Sequence, residues 1–205
     1  MKKVDRSVKI ENVVASASLK HGIDLEDVDR AFPRVKYSPE KFPGLVFRLK
    51  KPRTAILIFS SGKMVCTGAK STNQARKALR KVIRKLKKAG IVILGRLSTK
   101  IQNVVASASL GGNIDLVSWY GTQRLGGRMM YEPEQFPGLI FRMKNPRAVM
   151  LLFSSGKLVC TGAKKEDHVY EAVNRIREML EEDECIFYPS SLEEMNFEGE
   201  SILRE

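Results

Sequence analysis

The sequence predicts an α+β fold built from two similar halves, and three observations carry that prediction. The octapeptide Asn12 to Leu19 (NVVASASL) recurs letter for letter as Asn103 to Leu110, and residues 42–70 recur as 136–164 with 21 of 29 positions identical. A period of 91–94 residues is far too long for a solenoid and fits two copies of one half-domain. Each copy holds a run of short strand-like segments punctuated by turn residues, then closes on a segment with apolar residues at helical spacing. Strands in series followed by a helix place the helices on one face of an antiparallel sheet.

The first half opens on a strand-like segment, Val8 to Leu19, rich in Val and small residues, and the second opens on Lys100 to Leu110. An acidic, helix-like piece follows Asp24; its counterpart after Asp115 runs three residues longer before Tyr131. Three strand candidates follow in each half, at 44–50, 54–60 and 63–68 and at 138–144, 148–154 and 157–162. Pro52, Ser61-Gly62, Pro146 and Ser155-Gly156 mark the turns. Ala75, Ala78, Leu79, Val82, Ile83 and Leu86 then recur at three- and four-residue steps, as do Val169, Val173, Ile176 and Leu180. Each such helix has one apolar stripe to bury, and the sheet supplies the place. The expected organisation is a first half-repeat at 1–95, a second at 96–182, and an acidic C-terminal tail at 183–205. The halves are intimately joined, because the apparent linker, Gly90 to Ser98, is short and apolar.

Charge is unevenly spread. The chain carries 36 Lys and Arg against 23 Asp and Glu, a formal +13. Residues 178–205 hold ten acids and one arginine, a net −9 that leaves +22 on the rest. A body this basic points to a polyanionic partner. The tail, with Glu181, Glu182, Asp183 and Glu184, would repel wrong partners or shield the body. Between Thr72 and Ala89 lie eight cations and no acid. That segment is either a solvated face or a second electrostatic contact, with a flanking stretch of such a polyanion or an acidic regulator.

Several function classes fall away. No stretch approaches the roughly 18 apolar residues of a membrane span, and Met1-Lys-Lys precedes Val4-Asp-Arg-Ser rather than an apolar signal core, so an intracellular, soluble protein is expected. Cys66, Cys160 and Cys185 give no disulfide framework and no metal-ligand spacing. Cys66 shares a strand face with Met64, opposite Lys63, Val65 and Thr67, which predicts core packing for it and for Cys160. His21 and His168 stand alone, and the acids of the body are scattered rather than paired. No enzyme, metal or cofactor is therefore expected.

The informative anomaly lies in the strands. Alternation sends Ile56 and Ile58 to one face and Leu57 and Phe59 to the other, and the second half repeats this with Met150 and Leu152 against Leu151 and Phe153. With helices on one side only, the second face stays apolar until a further layer, a second copy or a ligand covers it. Its neighbours are Asn12, Val14, Lys63, Val65 and Thr67, with Asn103, Val105, Lys157, Val159 and Thr161 as counterparts. Amide, hydroxyl and aliphatic groups flanked by cations suit a minor groove, which has acceptors on its floor and phosphates at its rims. A body of two similar halves also suits a two-fold ligand such as duplex DNA. Phe59 and Phe153 end strands on this face, while Phe42 and Phe136 precede Pro43 and Pro137; such rings serve as core or as wedges between base pairs. A sequence-indifferent DNA-compacting protein would need the charge but not the doubled Leu and Phe.

Phe42-Pro-Gly-Leu, Ile58-Phe-Ser-Ser-Gly-Lys63 and Val65-Cys-Thr-Gly-Ala-Lys70 each have a counterpart in the second half, and Lys100-Ile-Gln-Asn-Val104 and Tyr131-Glu-Pro-Glu134 join them. Over about residues 8–182 the chain resembles the TATA-box-binding protein family in its archaeal-like, two-repeat core. The resemblance implies a pseudo-two-fold saddle with a curved ten-stranded antiparallel sheet and four helices on its convex face. It implies a sequence-specific general transcription factor that binds the minor groove of A·T-rich TATA elements, kinks the DNA, and recruits transcription factor B and, indirectly, RNA polymerase. By that resemblance Asn12, Asn103, Thr67 and Thr161 would meet base acceptors, and Val14, Val105, Leu57, Leu151, Val65 and Val159 would pack on the groove floor. Phe42 with Phe59, and Phe136 with Phe153, would wedge the outer steps. Arg48, Arg142, Lys63, Lys157, Lys70, Lys164, Ser61 and Ser155 would hold the backbone. Glu132 and Glu134, where the first half has Ser38 and Glu40, would meet transcription factor B. The protein would act as a monomer on DNA, with dimerisation of the free form left open. It would sit on the nucleoid in the cytoplasm if archaeal and in the nucleus if eukaryotic; the short leader before Val8 and the acidic tail look archaeal.

Overall fold

The computed structural model describes residues 7–122 and 128–189. They form two compact units, one of residues 9–106 and 161–169, the other of the remaining described residues. Among the described residues no helix is long and apolar enough to cross a membrane.

In the first unit, β1 (Lys9–Ser18) buries Val13, Ala15 and Ala17 and leaves Asn12, Val14 and Ser16 half-buried, the alternation of a strand with one covered face. The short α1 (Leu25–Ala31) starts where the Asp24 carboxylate accepts the Glu26 and Asp27 N–H groups. Three antiparallel strands follow, β2 (Gly44–Leu49), β3 (Thr54–Phe59) and β4 (Lys63–Ala69). The turn between β3 and β4 requires glycine: Gly62 has φ +80°, and a Cβ there would lie 2.1 Å from the His21 carbonyl oxygen. Ser71 then caps α2 (Thr72–Lys88) by accepting the Gln74 N–H. With β5 (Ser98–Ser109), the hydrogen-bonded order in this unit is β2-β3-β4-β1-β5.

The apolar stripe of α2, Ala75, Ala78, Leu79, Val82 and Leu86, is fully buried on β1, β3 and β4, where it meets Ile56, Ile58, Met64 and Cys66. Burying each larger aliphatic side chain stabilises by about 1.5–3 kcal/mol. The outward side of α2 opposes this gain. Arg76, Arg80, Arg84 and Lys88 form one i,i+4 row and Lys77, Lys81 and Lys85 another, and each like-charge step costs about 0.2–0.5 kcal/mol.

The second half adds β6 (Asn113–Ile114), α3 (Leu116–Gly121), β7 (Met129–Met130), β8 (Leu139–Met143), β9 (Ala148–Leu152), β10 (Lys157–Ala163), α4 (Glu166–Glu182) and β11 (Ile186–Phe187). Here the hydrogen-bonded order is β10-β9-β8-β7, and β11 pairs with β6 apart from it. Asp115 caps α3 by accepting the Ser118 N–H and hydroxyl, bonds that hold its carboxyl below the usual carboxylate range. Trp119 is fully buried against Phe141, centroids 5.8 Å apart, and donates its indole N–H to Asp183 at 3.0 Å. The first residues of the acidic stretch are thus built into this unit, while 190–205 lie outside the described residues.

The architecture is α+β, with antiparallel strands and, among the described residues, four helices, as expected. Among the described residues the strands β1–β5 and β7–β10 number nine, where ten were expected. The missing member is the first-half counterpart of β7, near Val35. There the Val35 N–H goes to the Phe32 carbonyl and the Tyr37 N–H to the Asp29 carboxylate, so neither is free for a ladder.

Candidate nucleic-acid interface

The first-half candidates come together on one face. Asn12, Val14, Leu57, Val65 and Thr67 are half-buried, while their strand neighbours Val13, Ile56, Ile58, Met64 and Cys66 are fully buried under α2. Strand register lines up Val46, Leu57, Val65 and Ser16 in one row across four strands, and Arg48, Ala55 and Thr67 in the next. The result is an aliphatic floor with a cation at its margin.

A bulge fixes the polar end of this floor. Pairing of β1 with β4 shifts between Val13 and Ala15, and opposite the shift Gly68 adopts φ +86°. Its N–H, 2.7 Å away, donates to Asn12 Oδ1. Because a backbone N–H only donates, the Asn12 amide is oriented, and Nδ2 donates to Thr67 Oγ1 at 3.2 Å. One Nδ2 hydrogen remains for an outside acceptor. The second half repeats the clamp: Gly162 N–H to Asn103 Oδ1 at 2.7 Å, and Asn103 Nδ2 to Thr161 Oγ1 at 3.0 Å. Both clamps belong to the first unit, on the neighbouring strands β1 and β5. A·T pairs show the minor groove only acceptors, so paired donors on an aliphatic floor match them, whereas the amino group of G·C would meet the floor unpaired.

The aromatic pairs are also alike. Phe42 and Phe59 have centroids 5.9 Å apart, as do Phe136 and Phe153 in the second unit. Phe42 and Phe136 are 38% and 36% exposed, so neither is a core ring. A glycine makes each pairing fit: a Cβ on Gly44 would lie 2.8 Å from the Phe42 ring, and one on Gly138 would lie 2.6 Å from the Phe136 ring. Also in the second unit, Leu151 faces Ile140 across β8 and β9, and both are half-buried, as is Val159 on β10. Val105 is half-buried on β5 beside its clamp residue Asn103.

Arg48, Ser61, Lys63, Lys70, Arg142, Ser155, Lys157 and Lys164 are all exposed. Lys70 is engaged: its ammonium donates to the Glu11 carbonyl at 2.8 Å and to the Glu11 carboxylate at 2.9 Å. Gln102, which carries no charge, stands at the position of Glu11 in the second repeat, as Lys164 stands at that of Lys70. The loops carrying Ser38 and Glu132 have the same backbone turn, with each carbonyl accepting two N–H groups at 2.9–3.0 Å, so they differ in side chains rather than shape. Glu132 and Glu134 are exposed.

Burial pushes the Cys66 thiol up to about 11 and that of Cys160 to about 12, which leaves both protonated and inert at neutral pH. His21 is tied into structure, with Nε2 accepting the Leu94 N–H at 2.8 Å. Among the described residues no group of His, Cys, Asp or Glu could hold a metal ion. Sequence reasoning missed the Gly68 and Gly162 amides, the spacing glycines Gly44 and Gly138, and Glu11. The doubled Cys-Thr-Gly-Ala and Phe-Pro-Gly strings already contained the signal for the glycines.

Comparison with known proteins is consistent with this geometry. The family model described as "Transcription factor TFIID (or TATA-binding protein, TBP)" matches residues 7–89 and again 98–182. A TATA-box-binding protein of Pyrodictium occultum is 55% identical over 85% of this chain and 86% of its own length. One of Sulfolobus acidocaldarius is 50% identical over 93% and 94%. The solved structure of Methanococcus jannaschii TBP is similar with a TM-score of 0.74 at 45% identity, covering 86% of this chain and 99% of that one.

Proposed function

Because the chain belongs to the TATA-binding protein family, a family of DNA-binding general transcription factors rather than enzymes, we propose that it marks promoters by binding A·T-rich TATA elements through the minor groove. The observation that carries this reading is the doubled Asn–Thr–Gly clamp, which presents oriented donors beside an aliphatic floor. Leu57, Val65 and Val14, with Leu151, Val159 and Val105, pack against the groove floor and exclude the G·C amino group. The pairs Phe42–Phe59 and Phe136–Phe153 enter the two outer base steps and unstack them, at least cost where the steps are flexible TA. Arg48, Lys63, Arg142, Lys157 and Lys164, with Ser61 and Ser155, hold phosphates, and Lys70 does so on leaving Glu11. Specificity then rests on groove chemistry and deformability, and each central G·C substitution costs about 1–3 kcal/mol.

Glu132 and Glu134 mark the second repeat for transcription factor B, which brings RNA polymerase to the promoter. The protein works as a monomer on DNA, and the archaeal relatives favour a nucleoid location in the cytoplasm. Selection of bound duplexes from a random pool, followed by minor-groove footprinting, tests this. Enrichment of A·T elements with minor-groove protection supports the reading; unenriched pools or major-groove protection overturn it. Glu132→Lys with Glu134→Lys should abolish recruitment of transcription factor B while leaving DNA binding intact.

A further inference from the structure

The outward side of α2 is not used by the interface described above. Helix α2 packs its apolar stripe on the face of β1, β3 and β4 that carries Ile56, Ile58, Met64 and Cys66, so the clamp face and the cationic side of α2 are back to back across one sheet. Seven of its eight cations are exposed, and among the described residues no ion pair engages any of them. The rows at i,i+4 repeat every ~6 Å along a helix of ~25 Å, a linear array of like charge. This side is also concave. A cleft of about 710 Å³ lies between α2, the β2–β3 turn and Leu97, and five α2 cations, Lys77, Arg80, Lys81, Arg84 and Lys87, line it with Lys51. Its position is fixed by the Lys81 ammonium, which donates to the Lys51 carbonyl at 2.6 Å. Among the described residues no acid lines the cleft, and its apolar lining is Pro52, Ile83 and Leu97.

We propose that this cleft is a second, sequence-independent DNA site that takes the phosphate backbone of a duplex other than the one on the sheet. A regular row of arginines and lysines lacking both acids and a broad apolar floor fits a repeating phosphate polyanion better than an amphipathic acidic peptide, which needs apolar anchors. The back-to-back geometry separates the two sites by the thickness of the sheet and helix layers. One molecule can therefore hold an element on the sheet and a second DNA segment on α2, and can transfer between segments while searching.

The test uses the full chain and the variant K77Q/R80Q/R84Q/K87Q, whose changes are all at exposed positions. Protein saturated with an unlabelled A·T-element duplex is titrated with a fluorescent G·C duplex of 20 base pairs, followed by anisotropy at several salt concentrations. Capture of the second duplex by the native chain, weakened at least tenfold in the variant with a salt slope smaller by about three, is the expected result. Absence of capture, or equal capture by both proteins, overturns the proposal. So does preferential binding of polyglutamate in place of the duplex. The readout is independent of promoter recognition: G·C duplex binding to the free chain through these four residues would survive even if no A·T preference were found.

Discussion

Helices α2 and α4 occupy equivalent places in the two repeats and carry opposite charge. The first has eight cations and no acid; the second has six acids and two cations. On the strands the repeats scarcely differ: the clamps agree to within 0.2 Å in their Asn–Thr and Asn–Gly bonds, and the phenylalanine pairs share one centroid separation. Two copies of one half that keep one surface and change the other are suited to a common ligand on the kept surface alone. A duplex looks nearly the same from both ends, so the likeness of the strands fits the proposed contact with DNA. The helices, the tips at Ser38 and Glu132, and the exchange of Glu11 for Gln102 give the molecule its polarity.

The largest expected effect tests the likeness. Phe59→Ala and Phe153→Ala should each remove about half of the DNA bend and weaken the A·T complex by about 2 kcal/mol, roughly 30-fold, read by energy transfer across a labelled duplex. Loss of the whole bend from either change would mean that one repeat dominates. Next in size, Gly62→Ala and Gly156→Ala should cost stability alike, about 2 kcal/mol and some 4–8 °C in Tm, because a Cβ would lie 2.1 and 1.9 Å from a carbonyl oxygen. Calorimetry that leaves either variant at the native Tm would refute the turn geometry.

Smaller effects probe the differences. Glu11→Gln should release Lys70, tighten binding by less than about 1 kcal/mol and steepen the salt slope by at most about one unit, and Gln102→Glu should do the reverse at Lys164. A titration showing both changes neutral would mean that the ion pair has no part in DNA binding. Smallest is a thiol experiment. Since burial raises the Cys66 and Cys160 thiols to about 11 and about 12, neither should react with an alkylating reagent at pH 8 until the chain unfolds. Rapid native labelling of either would contradict their burial.

Much of this was readable from the chain because its signals are local. Alternation along residues 54–59 and apolar steps from Ala75 to Leu86 announce β3 and α2, and the exact repeat announces the kept surface. Other features depend on residues far apart. The pairing of β6 with β11 joins two-residue segments more than seventy positions apart, too short to leave a periodic trace. Lys70 meets Glu11 across 59 positions, and Asn12 meets the Gly68 amide across 56. Composition cannot tell a lysine facing a phosphate from one already paired; only register can.

The most direct test of the central claim is end-to-end energy transfer on a short duplex carrying an A·T element, beside a G·C-substituted control at the same salt. The account predicts tight binding with a strong bend on the A·T duplex alone. Equal binding to both duplexes without bending would contradict it and leave a basic protein that coats DNA.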